Sequence, residues 1–204
     1  MSLVSPELFT AATETIAAVH RRPVSLRRSA VTSSEAVLRG ARLSALIDAI
    51  PAETAIDVAS VLAPDAVEGT ARTFLRAPLQ VLARMDVLAG GDGKPTDNVV
   101  ALQQLAQVIV TGHEFLPGVV HGVVLGCQPF GARSGVIARA ASRLAAVATG
   151  FDPRGLTVPE VYLHRHARAY QELDFLSDPK QFCDFQLRAF IAGATEAESI
   201  ARQA

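Results

Sequence analysis

The stretch Cys127 to Arg139, CQPFGARSGVIAR, gathers three anion-binding side chains in one short run: Arg133, Ser134 and Arg139. A guanidinium matches phosphate oxygens, and a hydroxyl donates to them. An apolar run leads in, and Pro129-Phe130-Gly131 makes a turn. A helical pattern follows, with Ile137, Ala140, Ala141, Leu144, Val147, Ala148 and Phe151 on one face. The free N–H groups and positive dipole end of that helix should point into the loop and suit phosphate. The loop nevertheless has no acid, His or Lys. Gln128 has no proton affinity useful to a general base. Ser134 could act as a nucleophile only with a base supplied from elsewhere, whereas it fits the helix N-cap as it stands. Arg139 has the alternative of an internal salt bridge.

Other residues read as structural. His121 lies two turns before Gln128. His164 and His166 are two apart, diverge on a helix and cannot form the i, i+4 metal pair. Cys127 and Cys183 form no C-x-x-C pair, and Cys127 reads as a small core hydrophobe. No metal site is expected. AGGDGKPTD carries a Gly-Lys, but Pro95 stands where a phosphate loop needs Ser or Thr, so the stretch is a turn.

Helical periodicity surrounds the loop nearly everywhere. Ser5-Pro6 opens a first helix that ends near HRRPVS, and a second covers about 26–50, up to Pro51. A short helix is expected near 53–62, and another, capped by Asp65, runs to about 88. Further helices are expected at about 97–111, 117–127, 136–149, 158–176 and 180–201, the last opened by Asp178-Pro179. These are the elements of an all-α bundle of about eight helices in a single domain, 1–204. Phe182, Phe185 and Phe190 read as core, although their helix could also cover a homodimer face.

HGVVLGCQPFGARSGVIARAASRL resembles the signature of the Fic/Doc (Fic domain) family, H-x-x-F-x-x-I-H-P-F-x-[D/E]-G-N-G-R-x-x-R. His121, Pro129, Phe130, Gly135 and Arg139 stand on matching positions, and the resemblance covers about residues 115–176. It implies a Fic-like helical bundle and, in the typical member, transfer of AMP from ATP to a protein hydroxyl. The departures fall on the chemical positions. Gln128 stands for the motif His, the general base, and Ala132 for the acid that binds magnesium. Arg133 replaces the first Gly, where a retained positive φ would strain it. Ser134 replaces the Asn, and Val136 the first phosphate-gripping Arg. The family's flap place is AGGDGKP, too short for two strands. SALIDA, Ser44 to Ala49, resembles the family's inhibitory helix and makes 26–50 an inhibitory-type helix, with Ser44 and Asp48 reaching Arg139.

The resemblance therefore implies a degenerate member without AMP-transferase activity, acting through a protein partner. No catalytic residue is assigned. A residual anion or nucleotide pocket is expected in the motif loop, 128–139, at Phe130, Arg133, Ser134, Gly135 and Arg139. Its ligand would be ATP or another phosphate-bearing molecule, held without a magnesium ligand from the motif; no cofactor is certain. The alternative is an active nucleotidyl- or phosphoryl-group transferase with rewired residues, its base drawn from His121 or Glu160.

The formal net charge is −1, so no global field recruits nucleic acid or membrane. The arginines at 21, 22, 27, 28, 39 and 42 form a basic run, but no aromatic residue interleaves them to stack bases, which argues against nucleic acid. No signal-like segment or run of 18 apolar residues is present, and a cytoplasmic, membrane-free protein is expected.

Overall fold

The computed structural model describes residues 2–204. Among the described residues are twelve α-helices and no strand. They are α1 (Pro6–His20), α2 (Pro23–Arg27), α3 (Ser29–Asp48), α4 (Ala52–Ala59), α5 (Val67–Arg76), α6 (Pro78–Leu88), α7 (Val99–Thr111), α8 (Leu116–Cys127), α9 (Ser134–Ala148), α10 (Glu160–Arg165), α11 (Ala167–Glu172) and α12 (Pro179–Gln203). Single 3-10 turns occupy Ser60–Leu62 and Gly131–Arg133.

The protein is all-α, as the periodicity predicts. The expected count of about eight rises to twelve because predicted helices divide. Pro78 forces Ala77 out of the α region (φ −140°, ψ 62°), so the helix expected up to 88 becomes α5 and α6. Its first half starts at Val67, after Ala66, and not at the Asp65 cap. Pro23 opens the separate α2, which Arg28 (φ −126°) parts from α3. His166 (φ −111°) divides 158–176 into α10 and α11. The Asp178 carboxylate does cap α12, accepting from the Gln181 amide at 2.9 Å. Ser5 precedes α1 as expected, but its hydroxyl donates to Asp184 of α12 at 2.6 Å and caps nothing.

One contiguous core runs from Val4 to Ala197. Helix α9 lies inside it, with twelve of its fifteen residues buried. Its alanines cost no side-chain entropy and let α3, α5 and α8 approach closely. Phe9, Phe115, Phe151 and Phe190 fill one end, with ring centroids 5.3–6.3 Å apart. Phe182, Phe185 and Phe190 are buried within the chain, where α12 packs on α1, α3, α8 and α10, so that helix leaves no open phenylalanine face. No helix among the described residues is long and apolar enough to cross a membrane.

Charge is also used inside. The basic run is partly neutralised: Arg22 pairs with Glu198 at 2.8 Å, and Arg39 pairs with Glu35 and Glu196 at 2.7 and 2.5 Å. Arg143 of α9 faces Glu160 of α10 at 3.8 Å, both buried. Gly40 leaves the space for them, since a Cβ there would stand 2.3 Å from the Arg143 guanidinium.

The turn after α9 closes on a buried carboxylate. Asp152 accepts from His20 Nε2 at 2.7 Å, from the Leu156 and Thr157 amides at 3.1 and 2.9 Å, and from the Thr157 hydroxyl at 2.6 Å. Arg154 donates to His20 Nδ1 at 3.0 Å, so Nδ1 is the acceptor of the ring and Nε2 its donor to Asp152. Burial alone would raise the Asp152 carboxyl, but the His20 and Thr157 hydrogen bonds outweigh it and hold it below the ordinary carboxylate value. A folded value below the unfolded one stabilises the protein above the unfolded value, about 3.9, and the gain is lost as pH falls through the folded value. Asp152→Ala should cost about 3–5 kcal/mol at pH 7, because it leaves the buried His20, Leu156 and Thr157 donors without their acceptor. Thermal unfolding across pH 2–7 checks this: the gap between wild type and Asp152→Ala should narrow only as the pH drops below about 4.

Candidate functional site

Helix α8 ends on Gln128 in the left-handed region (φ 47°), whose amide closes on the Val124 carbonyl at 3.2 Å. The chain turns again at Gly131 (φ 58°) and enters α9 through the 3-10 turn. Arg133 sits at φ −81°, so the strain expected at this position is absent; the reversal falls on Gln128 and Gly131 instead. The expected free amides are partly closed as well. Arg133 N–H donates to Phe130 O, and Ser134 N–H to Gly131 O. The helix therefore begins two residues earlier than the sequence pattern puts it. Ser134 is its first residue and not its cap; its buried hydroxyl accepts from the Phe130 amide at 3.0 Å and holds the loop shut. Phe130 is buried in the core.

The site centres on Arg139, the largest fully buried side chain. Its Nε donates to the Ser44 hydroxyl at 2.7 Å, and Nη2 to the Ser44 carbonyl at 3.3 Å and to Asp48. The structure thus brings Ser44, Asp48 and Arg139 together across α3 and α9. Gly135 makes this approach possible: a Cβ there would lie 2.7 Å from the Asp48 carboxylate. Asp48 accordingly stands over the first turn of α9, where the helix dipole favours a negative charge. The third nitrogen, Nη1, is buried and has no hydrogen-bond partner.

Arg139 and Asp48 open onto a cleft of about 350 Å³ that also takes in Gln128, Tyr170, Gln171 and Asp174, over Phe175 and Phe182. Tyr170 is buried beside Arg139; burial raises its phenol pKa, and the guanidinium offsets part of that. Its hydroxyl meets His121 Nε2 at 2.7 Å. Burial, and then the charge of Arg139, press the His121 pKa down to about 3, so the ring is neutral at physiological pH. His121 does not line the cleft, and Glu160 lies against Arg143. Asp174 does line it, but hydrogen bonds from Ser177 and the Leu176 amide hold its carboxyl below the ordinary range, which makes it a weak base. Burial raises both thiols, that of Cys183 to about 12. Among the described residues no group of three or more His, Cys, Asp or Glu is placed to hold a metal ion.

Arg133 does not join this cleft. Its Nε donates to Asp86 of α6 at 2.7 Å, and Asp86 is fully buried. The same carboxylate accepts from the Gly93 amide at 3.0 Å. Asp86 thereby pins both the motif loop and the 90–98 segment, which forms no strand. That segment lies along the loop: Thr96 N–H donates to Pro129 O at 2.7 Å, and Asn98 Nδ2 to Cys127 O at 2.6 Å. Sequence reasoning missed Asp86. Its signal was a carboxylate one helical turn from Leu82 and three residues from Ala89, in a core register.

Removing Asp86 leaves a guanidinium and an amide without their acceptor. Asp86→Ala should cost about 1–3 kcal/mol by denaturant unfolding, since the Arg133 left behind is a third exposed and water can reach it. It should also speed hydrogen exchange at the Gly93 and Thr96 amides, while Asp92→Ala, on the exposed face of the same segment, leaves Thr96 unchanged.

The chain matches no family model, no curated protein and no solved structure.

Proposed function

We propose that the chain is a degenerate Fic-like protein that acts by binding a protein partner, and that it keeps an anion pocket at Arg139 which its own Asp48 covers. The observation that carries this reading is the Arg139 guanidinium: buried in the wall of the cleft beside Tyr170, bound on two nitrogens by Ser44 and Asp48, and without a hydrogen bond on the third. A buried cation with an unused donor favours an anion that brings its own acceptors. Phosphate oxygens, from a nucleotide or from a phosphorylated partner, have that chemistry.

The chemistry around it supports binding without transfer. Gln128 at the base position neither accepts nor releases a proton near neutral pH. No motif carboxylate is present to bring magnesium, because Ala132 occupies its place. An incoming phosphate also has to displace Asp48. A tethered competitor acts at an effective concentration on the order of millimolar, so the pocket in its covered state is weak. Ser44 and Asp48 here have the part of an inhibitory-type contact, and Phe130, Ser134 and Gly135 shape the loop that allows it. Arg133 is a loop strut on Asp86 and no longer a candidate for the anion. For the transferase alternative no observation speaks: His121 is buried and neutral, Glu160 is engaged by Arg143, and Asp174 is a weak base.

Incubation with α-labelled ATP, magnesium and a mixture of soluble proteins tests the reading. Neither wild type nor Asp48→Ala should transfer label. Label on any protein that disappears with Arg139→Lys would overturn it.

A further inference from the structure

Helix α7, VVALQQLAQVIVT, carries no charged residue. Leu102, Leu105 and Ile109 turn into the core. The opposite face is open, and its apolar members stand far out: Val100 is 65% exposed and Val110 56%. At 100° per residue, Val100, Gln103, Gln107 and Val110 fall in one narrow stripe. A solvated helix face ordinarily carries charge. This one has valine at both ends and glutamine between.

The stripe is symmetric about position 105. Under an antiparallel two-fold, Val100 lies opposite Val110 of the second copy, and Gln103 opposite its Gln107. A closed dimer requires this self-complementarity, in which residue i meets j and j meets i. Each glutamine amide offers both a donor and an acceptor, so the central pair satisfies itself. Helix α7 brings no charge to such a contact.

The surface beside Val110 is shaped to receive the opposite end. Between the start of α6 and the end of α7 lies an apolar groove of about 410 Å³, lined by Leu79, Ala106 and Val110. Val100 and Val110 are ten residues apart, about 15 Å along the helix. The two-fold that aligns the stripe therefore carries Val100 of each copy to the groove of the other. Arg76 stands at the groove and Asp97 just ahead of the approaching valine, so the rim charges are opposite in sign.

We propose that α7 is a homodimerisation helix, packed antiparallel on its own two-fold copy with Val100 seated in the partner's groove beside Val110. The contact is small and belongs to the weak, reversible class. It is independent of the functional reading of the Arg139 cleft.

Sedimentation equilibrium of the full chain up to ~500 µM tests it. Wild type should show a concentration-dependent dimer. Val100→Glu and Val110→Lys alter exposed positions and should fold, as circular dichroism can check. Each alone places two unmatched charges in the contact and should weaken dimerisation at least about tenfold. Mixed in equal amounts they should associate again, because one Glu then meets one Lys and one Val–Val contact is intact. A chain that is monomeric throughout, a dimer indifferent to either substitution, or a mixture no better than its components would each overturn the proposal.

Discussion

A guanidinium buried in the middle of an alanine-rich helix constrains everything around it. Left alone, the Arg139 charge would cost several kcal/mol in so dry a place. It is tolerated because α3 brings a hydroxyl, a carbonyl and a carboxylate to it. That supply fixes the relative height of α3 and α9. It also requires glycine at 135, since any side chain there would occupy the place of the Asp48 carboxylate. On the far side the same charge sits against Tyr170, whose hydroxyl meets His121, and burial together with the Arg139 charge keeps that ring neutral. The cleft is where this chain of contacts reaches solvent, and Nη1 is its unfinished end.

The loop between α8 and α9 is held by different groups and for a different reason. Its two left-handed residues set the turn, the Ser134 hydroxyl locks it from inside, and Asp86 ties Arg133 and the 90–98 segment over it. An open phosphate cradle would present free amides. Here two of them are closed into a 3-10 turn. What the proposed anion site can offer therefore lies in one side chain more than in a backbone nest.

Much of the local structure is legible in sequence. Ser5-Pro6 and Asp178-Pro179 mark helix starts that the structure contains, and the apolar face read from Ile137 to Leu144 is buried, with Val147 and Ala148 partly so. Pro78 was a legible break that a continuous apolar pattern masked, because helical periodicity resumes in phase soon after it. The break at His166 has no Pro or Gly to announce it. The long-range pairs were harder. The Asp48–Arg139 contact could be reached only through the resemblance of SALIDA to an inhibitory motif, since 91 residues separate the two. Nothing local joins His20 to Asp152, or Arg133 to Asp86. Such pairs follow from which helix faces meet, and periodicity gives a face without naming its neighbour.

If Asp48 is the lid on an anion site, removing its charge must expose that site. Calorimetric titration of ADP and of inorganic phosphate into wild type and Asp48→Ala measures this directly, with Arg139→Lys in the Asp48→Ala background as the control. The expected result is binding at least about tenfold tighter in Asp48→Ala than in wild type, equivalent to 1.4 kcal/mol or more, and lost in the double variant. Equal affinities in wild type and Asp48→Ala, or no binding by either, would contradict a covered anion site at Arg139.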